Sequence, residues 1–181
     1  MIATDTALGL DAPDFTLPAT DGRMVSLADI MMDHGAVVAF ICNHCPYVVA
    51  AARRIADDAR TLMGEGVGFV AICSNDASRY PADSFERMGE FATAYGFAFP
   101  YLHDEDQRVA AAYGAVVTPD FFGLDGRGRL RYRGRLDAGG SGRLPPEAPR
   151  ELVDAMRTVA ATGDGPARQH PPVGCSIKWR V

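Results

Sequence analysis

The 181-residue sequence lacks several features that would place it in a special class of protein. It has no run of 18 apolar residues, and its first residues lack the basic start and apolar stretch of a secretory signal. It also has no excess of positive charge, because its formal net charge is -5 at pH 7. We therefore expect a cytoplasmic protein that has neither a membrane partner nor a nucleic-acid partner.

Cysteine is scarce, and only one close pair, Cys42 and Cys45, occurs among the four cysteines. In a reducing compartment such a pair indicates catalysis or metal binding rather than a structural crosslink. A structural zinc site normally uses two close pairs. Here distant residues would have to complete it, namely His34, His103, His170, Cys73 and Cys175. A metal-binding module stays open as an alternative, but we expect no bound metal or other cofactor.

Strand and helix patterns alternate along the chain, with no internal repeat. The predicted elements are a hairpin around Asp21-Gly22, buried strands at 36–42 and 67–74, helices from Pro46 and at 83–95, a hairpin around Asp125-Gly126, and a helix that begins near Arg150. In the second helix, Asp83 and Glu86 have the spacing of a capping box. This order predicts an α/β sandwich in which a central sheet of parallel and antiparallel strands has helices on both faces.

The cysteine pair lies in "FICNHCPYV", where the first buried strand passes into a helix. A thiolate at a helix N-terminus is stabilised by the helix dipole and by unpaired N–H groups, so we expect Cys42 to be the attacking thiol. Cys45, one turn along, can resolve the mixed disulfide that forms. Asn43 and His44 separate the two cysteines, and His44 adds a potential positive charge.

Thr118-Pro119 is the second element of the predicted site. Since proline cannot donate a hydrogen bond in a sheet, Pro119 can simply be the residue at which a strand begins. The alternative is a cis peptide bond that lies against the dithiol and leaves a backbone edge free for a substrate chain.

Four stretches resemble the thioredoxin superfamily, and more narrowly its redoxin branch of TlpA-like oxidoreductases and alkyl hydroperoxide reductase/thiol-specific antioxidant proteins. They are "APDFTLPATDG", "FICNHCPYV", "VVTPDFFGLDGRGRL" and "GCSIKW". The resemblance implies a thioredoxin-like domain over residues 1–160, which is a three-layer sandwich with an N-terminal β-hairpin extension. A tail over residues 161–181 is expected to dock on this domain. It also implies Cys42 as the attacking thiol, Cys45 as the resolving thiol and Pro119 as the cis-proline. Asn43-His44 replaces the Gly-Pro of ordinary thioredoxins.

The sequence thus predicts a thiol-disulfide oxidoreductase. Its expected partners are protein thiols or disulfides and an electron donor such as a thioredoxin system, and the oligomeric state stays open. A thiol peroxidase is the alternative, although Ala39 stands where the peroxide-reducing branch has a threonine. Loss of such a donor costs about 10²- to 10³-fold in rate in oxyanion-type sites, so we expect slow peroxide reduction.

Two further features allow two interpretations each. Cys175, near Ile177 and Trp179, is either a packing residue of a docked tail or a third redox thiol. The alternating arginines from Arg127 to Arg135 would share one face of a strand, either as a solvated surface or as a surface that steers an acidic partner.

Overall fold

The computed structural model describes residues 7–181, so the first six residues of the predicted N-terminal extension lie outside the described residues. Strands and helices alternate in this range, and a short 3-10 helix covers Pro81–Asp83. The strands are β1 (Thr16–Pro18), β2 (Met24–Ser26), β3 (Ala36–Phe40), β4 (Gly68–Cys73), β5 (Tyr101–His103), β6 (Val117–Thr118), β7 (Asp120–Leu124), β8 (Leu130–Gly134) and β9 (Cys175–Ser176). The helices are α1 (Leu27–Ile30), α2 (Pro46–Gly64), α3 (Phe85–Ala94), α4 (Arg108–Tyr113) and α5 (Glu151–Thr162). No helix in the described part of the chain is long and apolar enough to cross a membrane.

The central sheet has five strands in the order β5-β4-β3-β7-β8. Strand β3 pairs in parallel with β4 and antiparallel with β7, and every residue of β3, β4 and β7 is buried. Apolar residues of α2, α3 and α5 pack on one face of the sheet, and those of α1 and α4 pack on the other. These observations confirm the predicted three-layer sandwich with a mixed sheet. The antiparallel pairing of β1 with β2 confirms the N-terminal hairpin.

The predicted capping box at the start of α3 is wrong. The N-cap residue is Ser84, whose hydroxyl accepts a hydrogen bond from the Arg87 N–H group, 3.2 Å away. Asp83 is the last residue of the preceding 3-10 helix, and it is fully buried. Its carboxylate is therefore available to residues outside α3.

The arginines between Arg127 and Arg135 do not share one face, contrary to the prediction. Strand β8 ends at Gly134, and a shift of register opposite Gly123 and Leu124 breaks the alternation of its side chains. The Arg133 guanidinium lies over the Phe122 ring, 4.9 Å from the ring centre. Arg135 instead pairs with a carboxylate of α5, Glu151, at 2.7 Å. The expected continuous basic surface does not form.

The segment after α5 runs along the outer edge of β8. The Gln169 side chain accepts a hydrogen bond from the Arg133 N–H group and donates one to the Arg131 carbonyl. The Arg135 N–H group then donates to the carbonyl of His170. A side-chain amide and the tail backbone thus satisfy polar groups that an edge strand would otherwise leave open.

Candidate active site

Helix α2 begins at Pro46, as predicted, and the cysteine pair lies in the loop between β3 and this helix. Pro46 is the first residue of α2, and Cys45 is its N-cap residue. Proline suits this first position because its missing N–H group would have no partner inside the helix. The helix N-terminus therefore acts on Cys45 more directly than on Cys42, which corrects the prediction that Cys42 occupies this position. Both cysteines are buried, with 1% and 0% of their surfaces exposed.

Thr118 contacts both sulfurs of the pair. Its hydroxyl oxygen lies 3.5 Å from the Cys42 Sγ atom, and its carbonyl oxygen lies 3.3 Å from the Cys45 Sγ atom, which donates to it. The Thr118–Pro119 peptide bond is cis, as the resemblance implied. The fold thus brings together the two stretches of sequence that were predicted to form the site, although more than 70 residues separate them.

The backbone edge before Pro119 is not free, contrary to the prediction. Strand β9, in the tail, pairs antiparallel with β6, and Cys175 lies directly opposite Thr118. The Cys175 side chain packs against the buried cluster that contains Cys42 and Cys45, and it lowers the pKa of Cys45. Three thiols therefore meet at the site, and Cys175 is the one that is partly exposed to solvent.

The contacts around the pair distribute its negative charge unequally. Hydrogen bonding from the Cys42 thiol lowers the pKa of Cys45 to about 4, and the Cys175 thiol acts in the same direction. Burial and the Thr118 carbonyl oppose ionisation of Cys45. The pKa of Cys42 is raised by its hydrogen bond to the Cys45 sulfur, by burial and by the charge of Asp83. The first proton of the pair is therefore lost from Cys45, with Cys42 as hydrogen-bond donor to the thiolate.

Asp83 is the central polar residue beside the pair. One carboxylate oxygen accepts a hydrogen bond from the Asn43 backbone at 2.7 Å, and the other accepts one from the Asn75 amide at 2.9 Å. The Nδ1 atom of His44 lies 2.6 Å from the second oxygen, although the ring is not oriented for a linear hydrogen bond. The imidazole also stacks on the Tyr80 ring, with ring centres 5.8 Å apart. Asp83 thereby fixes the conformation of the Cys42–Cys45 loop.

Asn43 is held at both ends by neighbouring elements. Its side-chain amide donates to the Ala82 carbonyl at 3.0 Å, and its side-chain oxygen accepts a hydrogen bond from the Tyr101 hydroxyl at 2.8 Å. Tyr101 belongs to β5 and is buried.

Cys73, at the end of β4, is buried as expected, and burial raises the pKa of its thiol to about 12. We assign Cys73 no part in thiol exchange.

Sequence reasoning missed Asp83, Asn75 and Tyr101 as site residues. A signal for Asn75 was present, because "ICNHC" and "ICSND" each lie at the carboxyl end of a buried strand. The carboxyl ends of neighbouring parallel strands meet at one edge of a sheet, so their loops lie side by side. Asp83 carried no such signal, since its local spacing equally suits a helix cap.

A possible metal-ligand group differs from the one considered from the sequence. Among the described residues, Cys42, His44 and Asp83 place a sulfur, a nitrogen and an oxygen within 4.8 Å of one another. Sulfur, imidazole and carboxylate ligands in this number can bind Zn²⁺. The same three residues belong to the dithiol loop, so bound metal would compete with disulfide formation.

Because both thiols lie at the end of a buried strand with a cis-proline against them, the site is that of thioredoxin-fold proteins that exchange thiols and disulfides. The model of the AhpC/TSA family matches residues 8–133, so the chain belongs to this family and is an oxidoreductase of the redoxin type.

Individual relatives carry names from both branches of such proteins. The chain is 30% identical over 155 residues to "Putative peroxiredoxin Rv2521" of Mycobacterium tuberculosis, which covers 86% of this chain and 87% of that one. It is 26% identical over 122 residues to thiol-disulfide oxidoreductase ResA of Bacillus subtilis, with coverages of 67% and 64%. A crystal structure of an uncharacterized conserved protein from Geobacillus kaustophilus matches with 42% identity and a TM-score of 0.91, covering 98% and 94% of the two chains.

Proposed function

We propose that this protein is a thiol-disulfide oxidoreductase in which Cys42 and Cys45 alternate between a dithiol and a disulfide. The position of Thr118 carries this proposal, because its hydroxyl oxygen lies 3.5 Å from the Cys42 sulfur and its carbonyl oxygen lies 3.3 Å from the Cys45 sulfur, so both sulfurs lie against one residue. The contacts of Thr118 with both sulfurs hold the pair in this position.

The reaction consists of two exchanges. As Cys42 attacks a substrate disulfide, its proton passes along the hydrogen bond to the Cys45 thiolate, and one substrate sulfur leaves as a thiolate. Cys45 then attacks the Cys42 sulfur, loses that proton, and releases the second substrate sulfur. The two substrate thiolates take up this proton and one more from water, so one substrate disulfide has become two thiols and the enzyme has gained one disulfide. The two electrons must then be restored by an external dithiol, such as a thioredoxin system.

Cys42 is proposed as the attacking thiol because it precedes the helix, whereas Cys45 is held by the helix N-terminus. Cys45 is also fully buried, and its thiol donates a hydrogen bond to the Thr118 carbonyl. Since the Cys42 side chain is itself almost fully buried, a protein substrate must displace neighbouring groups to reach it. Strand β9 holds the backbone edge at which a substrate chain would pair, so it is the segment that we expect to move.

Single-cysteine substitutions test this assignment. Cys42→Ser should abolish reduction of a protein disulfide such as that of insulin, because no attacking sulfur remains. Cys45→Ser should accumulate a mixed disulfide with the substrate, visible by mass spectrometry on Cys42, because the second exchange is lost. Cys73→Ala is the matched control and should keep activity. Full turnover by the Cys42 variant would refute the proposal.

The proposal includes a cytoplasmic location, which is supported by the scarcity of cysteine in the sequence, where only one close pair occurs. Fractionation of cells followed by immunoblotting tests this location. Recovery outside the cytoplasm would require a different electron donor.

A thiol peroxidase is a second candidate, favoured by the peroxiredoxin name of one relative. Two features oppose it. Ala39, buried in β3, provides no hydroxyl group, and the charge that acts on Cys42 is the carboxylate of Asp83. A negative charge near the sulfur disfavours the thiolate that must attack peroxide. Consumption of hydrogen peroxide by the reduced protein, compared with the Cys42→Ser variant, measures this activity directly, and a rate no higher than that of free thiols excludes it.

A further inference from the structure

The tail brings a third thiol to the dithiol site by a specific backbone pairing. In β9, Cys175 lies opposite Thr118, the residue that contacts both sulfurs of the pair. Gly174 is required for this approach, since a Cβ atom on residue 174 would collide with the Thr118 carbonyl. The tail therefore occupies the edge next to the cis-proline in the manner of an extended peptide.

Contacts on the far side of Cys175 hold the tail in place. The Ile177 side chain is 3% exposed, and its N–H group donates to the Val116 carbonyl at 2.9 Å. The Lys178 N–H group donates to the Asn75 side chain at 2.9 Å, and the Lys178 carbonyl accepts a hydrogen bond from Gln107. Trp179, which was expected to dock the tail together with Ile177, is instead 40% exposed. Ile177 and the backbone of Lys178 thus fix the position of Cys175.

Access to solvent distinguishes the three sulfurs. Cys42 and Cys45 are buried, whereas Cys175 is partly exposed and at the same time packs against the cluster that contains them. A reductant that cannot reach the buried pair can reach a disulfide that includes Cys175.

We propose that Cys175 is a third redox thiol that takes over the disulfide of the active pair. This inference rests on the proposed function. The Cys175 thiolate attacks the Cys45 sulfur of the Cys42–Cys45 disulfide, the new Cys45–Cys175 bond forms, and Cys42 leaves as a thiolate. One S–S bond replaces another, Cys175 loses a proton, and Cys42 takes one up, so no external oxidant or reductant is consumed.

The new disulfide is then reduced from the solvent side. One thiolate of an external dithiol attacks the Cys175 sulfur, and Cys45 leaves as a thiolate. The second thiol of that dithiol displaces Cys175, which completes the transfer of two electrons and two protons. Cys175 thereby connects the buried pair to its electron donor.

Cross-linking in the Cys42→Ser variant tests the inference without relying on enzymatic turnover. This variant keeps three of the four cysteines. One equivalent of diamide should join Cys45 to Cys175 and leave Cys73 as the remaining thiol. Tryptic digestion under non-reducing conditions should then yield peptide 24–53 linked to peptide 169–178, as the positions of arginine and lysine require.

Two further variants separate a specific juxtaposition from random oxidation. Adding Cys73→Ala to Cys42→Ser should leave the cross-link unchanged. Adding Gly174→Ala should slow cross-linking about tenfold or more, since the collision with Thr118 removes the fixed orientation of the two thiols. A link to Cys73, or equal rates with and without Gly174→Ala, would overturn the inference.

The two proposals fail in distinguishable ways. If oxidised wild-type protein holds a disulfide within peptide 24–53 but the Cys42→Ser variant forms no link to peptide 169–178, the third thiol is refuted and the proposed function stands. If wild-type protein forms no disulfide within peptide 24–53, the proposed function fails, and with it the role of Cys175 in relaying that disulfide.

Discussion

Replacing Asp83 by asparagine should make Cys42 more reactive, because it removes a negative charge beside the attacking sulfur. A carboxylate oxygen of Asp83 and the Cys42 Sγ atom lie within 4.8 Å of each other. At an effective dielectric constant of about 20, two unit charges at that separation repel by about 3 kcal/mol, which corresponds to about two pKa units. Asp83→Asn should therefore lower the pKa of Cys42 by about this amount.

A lower pKa has two opposing effects on the rate of attack. It raises the thiolate fraction about a hundredfold at a pH below the pKa, but it makes each thiolate about eightfold less nucleophilic, given a Brønsted coefficient of about 0.4–0.5. The expected net gain is about tenfold. The assay is alkylation by iodoacetamide at pH 7 in a Cys45→Ser/Cys175→Ser background, with modification of Cys42 followed by mass spectrometry.

Asp76→Asn provides a control with the same change of net charge. Asp76 lies in the same loop as Asn75, and its carboxylate accepts a hydrogen bond from the Ser78 hydroxyl at 2.6 Å. This substitution should leave the alkylation rate of Cys42 near that of the parent protein. An Asp83→Asn rate equal to or below the Asp76→Asn rate, in folded protein with an unchanged circular dichroism spectrum, would show that electrostatic repulsion does not govern Cys42.

Three other outcomes are expected. Burial raises the pKa of Asp120 to about 6, so the unfolded chain loses this proton first and stability falls as the pH rises from about 4 to 6. Urea titrations should show a fall of about 3 kcal/mol over that range relative to Asp120→Asn, and parallel profiles would contradict it. Reduced protein should keep its thiolate absorbance at 240 nm down to about pH 4, whereas Cys45→Ser should lack this absorbance at neutral pH and below, because burial and the charge of Asp83 raise the pKa of Cys42; equal absorbance in the two would exclude the Cys45 thiolate. Gly68→Ala should lower the free energy of unfolding by about 2 kcal/mol or more, since its Cβ atom would collide with the Ile30 carbonyl; an unchanged urea midpoint would count against this packing.

The sequence was most informative where local pattern and topology agree. A β-branched apolar run before the cysteines and a proline directly after them are sufficient to predict a buried strand followed by a helix. The position of Pro119 beside the pair came from the resemblance, because the fold brings together residues that are distant in the chain. The helix begins at Pro46 as predicted, but the prediction placed Cys42 at its N-terminus, whereas the N-cap residue is Cys45.

The errors arose where tertiary structure overrides local spacing. Asp83 fits a capping pattern, yet its carboxylate accepts hydrogen bonds from Asn43 and Asn75. Strand β9 has only two residues, too few for any periodicity to reveal its pairing with β6. The alternation of arginines assumed a regular strand, which the irregularity opposite Gly123 interrupts.

The position of Gln169 and His170 along β8 has a consequence for the behaviour of shortened forms of the protein. A chain cut after Thr162 would leave the N–H groups of Arg133 and Arg135 and the carbonyl of Arg131 without these partners. An uncovered outer strand is a template on which a second molecule can add its own, so truncated material should self-associate. Light scattering during gentle proteolysis of the tail would then register particle growth before the remaining core unfolds.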